Sequence, residues 1–150
     1  MLLACALLLA VAYVIFFTDL FRKERVQIIV KLSPGRASAI PRPSDWTPVY
    51  PVTFRLNKAY QFKTIEVVNA AEFATNKHIL PMWHMVSDSN SVPQQTIVYG
   101  APKIQGMHSA VPRARPQPLE AGVQYTLMLE TSKWKAETNF VAKEYVAKRR

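Results

Sequence analysis

After Arg25, apolar and polar positions along the chain either alternate with a period of two or gather in short apolar runs. Most of the runs are bounded by Pro, Asn, Ser or Gly. A strand sends successive side chains to opposite faces, whereas a helix repeats every 3.6 residues, so this pattern predicts strands. They are expected at VQIIVKL (26–32), YPVTFRL (50–56), FKTIEVVN (62–69), LPMWHMVS (80–87), TIVYG (96–100), VQYTLMLE (123–130) and KAETNFVAK (135–143). Val, Ile, Thr, Tyr and Phe dominate these segments, as suits a half-buried pleated surface. No later window of helical length carries a 3.6-residue stripe, and only NAAEFATNKH (69–78) predicts a short helical turn. About seven short strands at close spacing predict an all-β antiparallel sandwich.

The N-terminus breaks this pattern. MLLACALLLAVAYVIFF is an unbroken apolar run from Met1 to Phe17, followed by TDLFRKER. A run of this length just spans a bilayer as a helix. Phe16, Phe17 and Phe21 then fall at an interface, with Arg22, Lys23 and Arg25 among the headgroups. No small-x-small cleavage site follows the apolar core, which favours an uncleaved anchor over residues 1–21. The basic flank on the C-terminal side favours a cytoplasmic domain by the positive-inside bias. A basic segment ahead of the apolar run would reverse that bias, and single-helix anchors of sandwiches are typically exported. The expectation adopted is a single-pass membrane protein with its domain on the periplasmic or extracellular side and the bilayer as its first partner.

Prolines mark the connections. Five lie between Pro34 and Pro51, and a second cluster occupies VPRARPQP (111–118). Proline has no amide donor and cannot sit in a central strand. The expected organisation is therefore a juxtamembrane strand and connector over 22–49, the sandwich over 50–143, and a basic tail over 144–150.

One segment is more specific than the rest. In PLEAGVQYTLMLE, Leu119 precedes Tyr125, Leu127 and Leu129 alternate after it, and Gly122 sits in the turn. This spacing resembles the tyrosine corner of fibronectin type III and related immunoglobulin-like domains. In those domains a Tyr near the start of strand F bonds its hydroxyl back to the E–F corner. The family pattern has Pro two residues after the Leu, where this chain has Ala121. The resemblance covers roughly Tyr50 to Lys143 and implies an F–G hairpin for residues 123–143. It also implies that LPMWHMVS is strand C, with Trp83 as the core tryptophan. Trp83, Leu119 and Tyr125 are the structural residues on this reading. The fold hosts many unrelated functions and implies none by itself.

Charge adds a partner question. The net charge is +9, with 19 Lys and Arg against 10 Asp and Glu. The stretches KLSPGRASAIPRP and APKIQGMHSAVPRARPQP contain no acid and fall in expected loops. No basic helix and no aromatic-basic motif accompanies them, so a solvated basic surface is expected and nucleic acid is not. A single cysteine, Cys5 in the apolar run, excludes an internal disulfide framework.

Chemistry concentrates at HILPMWHMVSDSNSVP, from His78. On a strand, Pro81, Trp83 and Met85 share one face, while His78, Leu80, Met82, His84 and Val86 share the other. Met82 and His84, with Met107 and His108 from GMH, form a soft ligand set of the kind copper takes. His78 is excluded from that set, because six residues of strand separate it from His84 by about 20 Å. Ser87, Asp88, Asn90, Arg113 and Arg115 are the expected partner-binding loop residues, since such residues concentrate on loops of a rigid scaffold. No Gly-x-Ser-x-Gly elbow, phosphate-binding glycine loop or HExxH occurs. The expectation is a membrane-anchored binding or assembly module with no catalytic activity and no cofactor, engaging an unidentified protein. An exported copper-binding domain is the alternative.

Overall fold

The computed structural model describes residues 26–34, 36–88 and 91–147. The expected anchor at 1–21, Asn90 and the last three residues lie outside them. Among the described residues, no helix is long and apolar enough to cross a membrane.

The chain folds into two antiparallel sheets. In chain order the elements are β1 (Ile28–Leu32), β2 (Val52–Tyr60), β3 (Thr64–Asn69), α1 (Ala70–Thr75), β4 (Trp83–Val86), β5 (Gln94–Val98), β6 (His108–Ser109), β7 (Gln124–Glu130) and β8 (Lys135–Val141). The small sheet has the order β1-β2-β5, and the large one β6-β4-β3-β7-β8. The all-β expectation holds, with β6 as an additional strand too short for any periodicity to reveal.

Alternation builds the core from the inner faces. In the small sheet, Val30, Phe54 and Ile97 form one cross-strand row. In the large sheet, Met85, Ile65 and Leu129 form one row, and Trp83, Val67 and Leu127 the next. Phe54 of one sheet meets Phe140 of the other edge-on, with ring centroids 5.0 Å apart. Side chains such as Phe54, Ile65, Val67 and Leu127 are fully buried, each worth about 1.5–3 kcal/mol of transfer free energy.

Two expectations about organisation change. β1 pairs with β2 over five residues, and Ile28, Val30 and Leu32 pack against the core. The strand expected as juxtamembrane thus belongs to the same sheet as β2 and β5, ahead of the expected sandwich start at residue 50. In the fold that the corner resembles, strand C lies beside strand F; here the strand beside the Tyr125 strand is β3, and the Trp83 strand, expected as strand C, lies one position further out. Periodicity fixes which face a strand buries but is silent about its neighbour.

The Pro-rich connector is stitched to the domain. Ser38 N donates to Val49 O at 2.8 Å, and Tyr50 N donates to Lys143 O at 3.0 Å. Tyr145 N donates to Pro48 O at 2.7 Å, so the start of the expected tail is held as well. On the outer face of the large sheet, α1 rests beside β7. Its N-terminus is capped by Asn69, whose Oδ1 accepts from Ala71 N and Glu72 N. Val68 and Thr126, which share a cross-strand row, are both buried.

Strand directions give the domain two ends. The chain enters at Val26, and β1 carries it away to the connector. The starts of β2, β4 and β7 and the ends of β3, β5 and β8 lie at that same far end.

Candidate interaction surface

The corner motif is present in its geometry. The hydroxyl of Tyr125 accepts a hydrogen bond from Glu120 N at 2.9 Å. Leu119 is buried beside it, and Gly122 turns the chain at φ 82°. Burial holds the Tyr125 hydroxyl above its ordinary pKa, partly offset by that backbone hydrogen bond.

Trp83 and His84 divide as strand alternation requires. Trp83 is 4% exposed and packs edge-on against Tyr99 at 5.5 Å. His84 points to the outer face, where its Nε2 lies 3.0 Å from Oε1 of Glu66, its cross-strand partner. His108 Nδ1 lies 3.4 Å from Oδ2 of Asp88. His78 sits in an exposed turn after α1, where its N–H donates to Asn76 Oδ1.

The four candidate metal residues line one cleft, of about 520 Å³, between β4, β6 and the loops at 101–102 and 111–117. Their burial differs along the chain. Met107 is largely buried, packing on the core while lining the cleft wall, and His108, the next residue, is exposed. Each imidazole already faces a carboxylate. Among the described residues, no group of three or more His, Cys, Asp or Glu side chains could hold a metal ion, which leaves the mixed Met and His set to be decided by titration.

The expected binding-loop residues separate into two places. Ser87 and Asp88 follow the end of β4, where Ser87 N donates to Lys63 O and Ser87 Oγ is buried without a partner among the described residues. Arg113 and Arg115 belong to the loop that leaves β4 at Ala110, bonded to His84 O, and returns at Gln117, bonded to Met82 O. The two pairs flank opposite ends of β4.

That second loop is anchored more firmly than its composition suggests. Tyr99 donates its hydroxyl to Gln117 O at 2.7 Å. Burial, with Tyr125 nearby, pushes the Tyr99 pKa far up, so this hydroxyl remains a donor. Gly100, at φ 72°, lies where the connector and the loop meet. A Cβ there would overlap Ile40 Cδ1 and press on Pro116 Cγ at 3.3 Å. A second cleft, of about 600 Å³, opens over this seam with Arg36 and Arg115 on its rim. The two clefts share Ala101, Pro102, Arg115 and Pro116 as a common ridge.

Sequence reasoning named Arg115 as a binding-loop residue but missed the apposition of Ala101 and Pro102 that completes this ridge. It also missed a third cleft, on the outer face of the large sheet. That cleft, of about 580 Å³, is lined by Glu66, Met128, Glu130, Lys135 and Glu137 among others. The acids come from adjacent strands, so their grouping depends on register and leaves no local signal. Comparison of the chain with protein-family models, with curated proteins and with solved structures finds no match.

Proposed function

We propose that this chain is a membrane-anchored, non-catalytic binding or assembly module built on a fibronectin-III-like or immunoglobulin-like sandwich. Residues 1–21 are the anchor and the domain is exported. The family-level reading rests on the hydrogen bond between Tyr125 and Glu120 together with the two-sheet antiparallel architecture.

The observation that carries the binding reading is the ridge between the two clefts. It stands toward the end of the sandwich away from the chain's entry, where an anchored domain presents its loops to partners. Its loop is held by Tyr99, Gln117 and Met82, and rigid support under exposed polar side chains is the usual construction of a contact surface. The test is site-specific photo-crosslinking in intact membranes. A crosslinker at Arg115 should give discrete adducts, whereas one at Thr96, on the outer face of the small sheet, should give none. Absence of adducts at Arg115, or equal adducts at both positions, would remove the binding reading.

The copper alternative has one observation behind it, the shared cleft of Met82, His84, Met107 and His108. Titration with Cu(I) and Cu(II) decides it. Tight binding lost in both Met82→Ala and His84→Ala would favour the metal.

A further inference from the structure

Four turns on the way to and around the ridge have the same construction. Ala101 N bonds Val98 O, Met107 N bonds Ile104 O, Ala114 N bonds Val111 O, and Val123 N bonds Glu120 O. In each, the third residue has positive φ: Gly100 at 72°, Gly106 at 75°, Arg113 at 63° and Gly122 at 82°. This is the position that glycine fills best, because a Cβ crowds the backbone there. Three of the turns obey, and the fourth, Val111-Pro112-Arg113-Ala114, carries arginine. Among the described residues, Arg113 is the one non-glycine residue with positive φ. A guanidinium is therefore held at the turn tip against the preference of its own backbone, the kind of local strain that collects at functional positions.

The cleft that Val111 and Ala114 of this turn help to line is largely apolar. Met82, Met85 and Met107 line the cleft with Trp83, and its rim carries Leu80, 85% exposed, and Val111, 58% exposed. Thioether side chains adapt to varied apolar guests. No Asp or Glu lines this cleft or the neighbouring one over Gly100. Arg115 lines both clefts and Arg36 the second, while Arg113 and Lys103 are exposed next in sequence to the lining residues Ala114 and Pro102. None of the four forms an ion pair with a described residue.

From this we infer that the methionine cleft docks an extended acidic segment of a partner protein. An apolar side chain of that segment enters between Met82, Met107 and Val111, and flanking carboxylates meet Arg113 and Arg115. The inference rests on the binding reading above and names the chemistry of its partner. Arginine suits carboxylates because its fork gives two parallel N–H donors. The site lacks the exposed aromatic platforms on which single-stranded nucleic acid stacks.

The test uses the full chain in zwitterionic nanodiscs with ¹³C-methyl methionine. Its five Met include Met128 in the acidic cleft as an internal reference. The probe is a short synthetic peptide with a Leu-Phe centre and Asp and Glu on both sides. It should shift the Met82 and Met107 methyls and leave Met128 unmoved. Replacing its acids by Lys, or its centre by Ala-Ala, should weaken binding about tenfold or more. Arg113→Gly should raise the melting temperature, by relieving the turn, and still weaken the peptide. Arg115→Glu should weaken it further. Equal binding of the acidic and basic peptides, shifts confined to Met128, unchanged affinity in Arg113→Gly, or tighter binding of an oligonucleotide at the same methyls would each overturn the inference. Should crosslinked adducts form at Arg115 while the acidic peptide fails to bind, the inference falls and the broader binding reading stands.

Discussion

Tyr99 and Gln117 are joined by a hydrogen bond of 2.7 Å from the tyrosine hydroxyl to the glutamine carbonyl. The bond ties the buried aromatic that directly follows β5 to a proline-rich loop eighteen residues later. Without it the carbonyl of Gln117 loses a buried donor, and Arg115, two residues before, loses its support. Tyr99→Phe should cost about 1–3 kcal/mol in chemical denaturation, because an acceptor is left unpaired while the ring is kept. Its larger effect should be on the loop, read as faster amide exchange at residues 111–117.

The same reasoning applies to the corner. Tyr125→Phe leaves Glu120 N without its acceptor, and Tyr125 is 2% exposed. A loss of about 1–3 kcal/mol is expected, with the fold retained. Stability equal to wild type would show that the hydroxyl is not part of the corner's support.

Trp83 and His84 offer a contrast between neighbours. Trp83→Ala empties a core site against Tyr99 and should cost about 3–5 kcal/mol. His84→Ala removes a half-buried contact with Glu66 and should cost at most about 1 kcal/mol. Thermal and denaturant unfolding of the two variants measure the difference directly. Comparable losses would mean that His84, too, supports the core.

Much of this was legible in the chain. The alternation over 82–86 correctly divides Trp83 and Met85 from His84 and Val86, because the strand period is a local property. The spacing of Leu119, Gly122 and Tyr125 likewise encodes the corner within seven residues. Strand neighbours were not legible, since β3 and β4 carry similar apolar alternation and either could pair with β7. The return of the loop to Met82 was hidden for the same reason, as it depends on contacts distant in sequence. Arg113 did leave a signal. Val-Pro-Arg-Ala places proline second in a turn, which makes arginine third, but only the observed φ shows the conformation it adopts.

Gly100 tests the seam. Alanine there must adopt φ near 72° and displace Ile40 and Pro116. A cost of about 1–2 kcal/mol is expected from the backbone alone. Since Ile40 can rotate away, the domain should still fold, with the connector released from the ridge. Limited proteolysis should then cut within residues 36–47 faster than in wild type.

Alkaline pH should weaken the domain through its buried tyrosines. Tyr99 and Tyr125 are both held above the ordinary value of 10.0, chiefly by burial. The folded state keeps their protons where the unfolded chain releases them. Their contribution is therefore fully present below about pH 10 and is lost as pH rises through the folded pKa values. Denaturation midpoints should be flat from about pH 7 to 9 with respect to these groups and fall above about pH 10. Tyr99→Phe should shallow that fall.

The central claim is that the ridge carrying Arg115, with the adjoining Arg113 turn, is the contact surface of an anchored module. The most direct measurement is the native size of the assembly after gentle extraction of membranes from cells that make the protein. Wild type should migrate as a complex larger than the lone chain in its detergent micelle. R113E/R115E should collapse to the lone chain, while E130K/E137K, on the acidic cleft of the large sheet, should keep the complex. A complex that survives R113E/R115E and is lost in E130K/E137K would contradict the account and move the contact surface to the outer face of the large sheet.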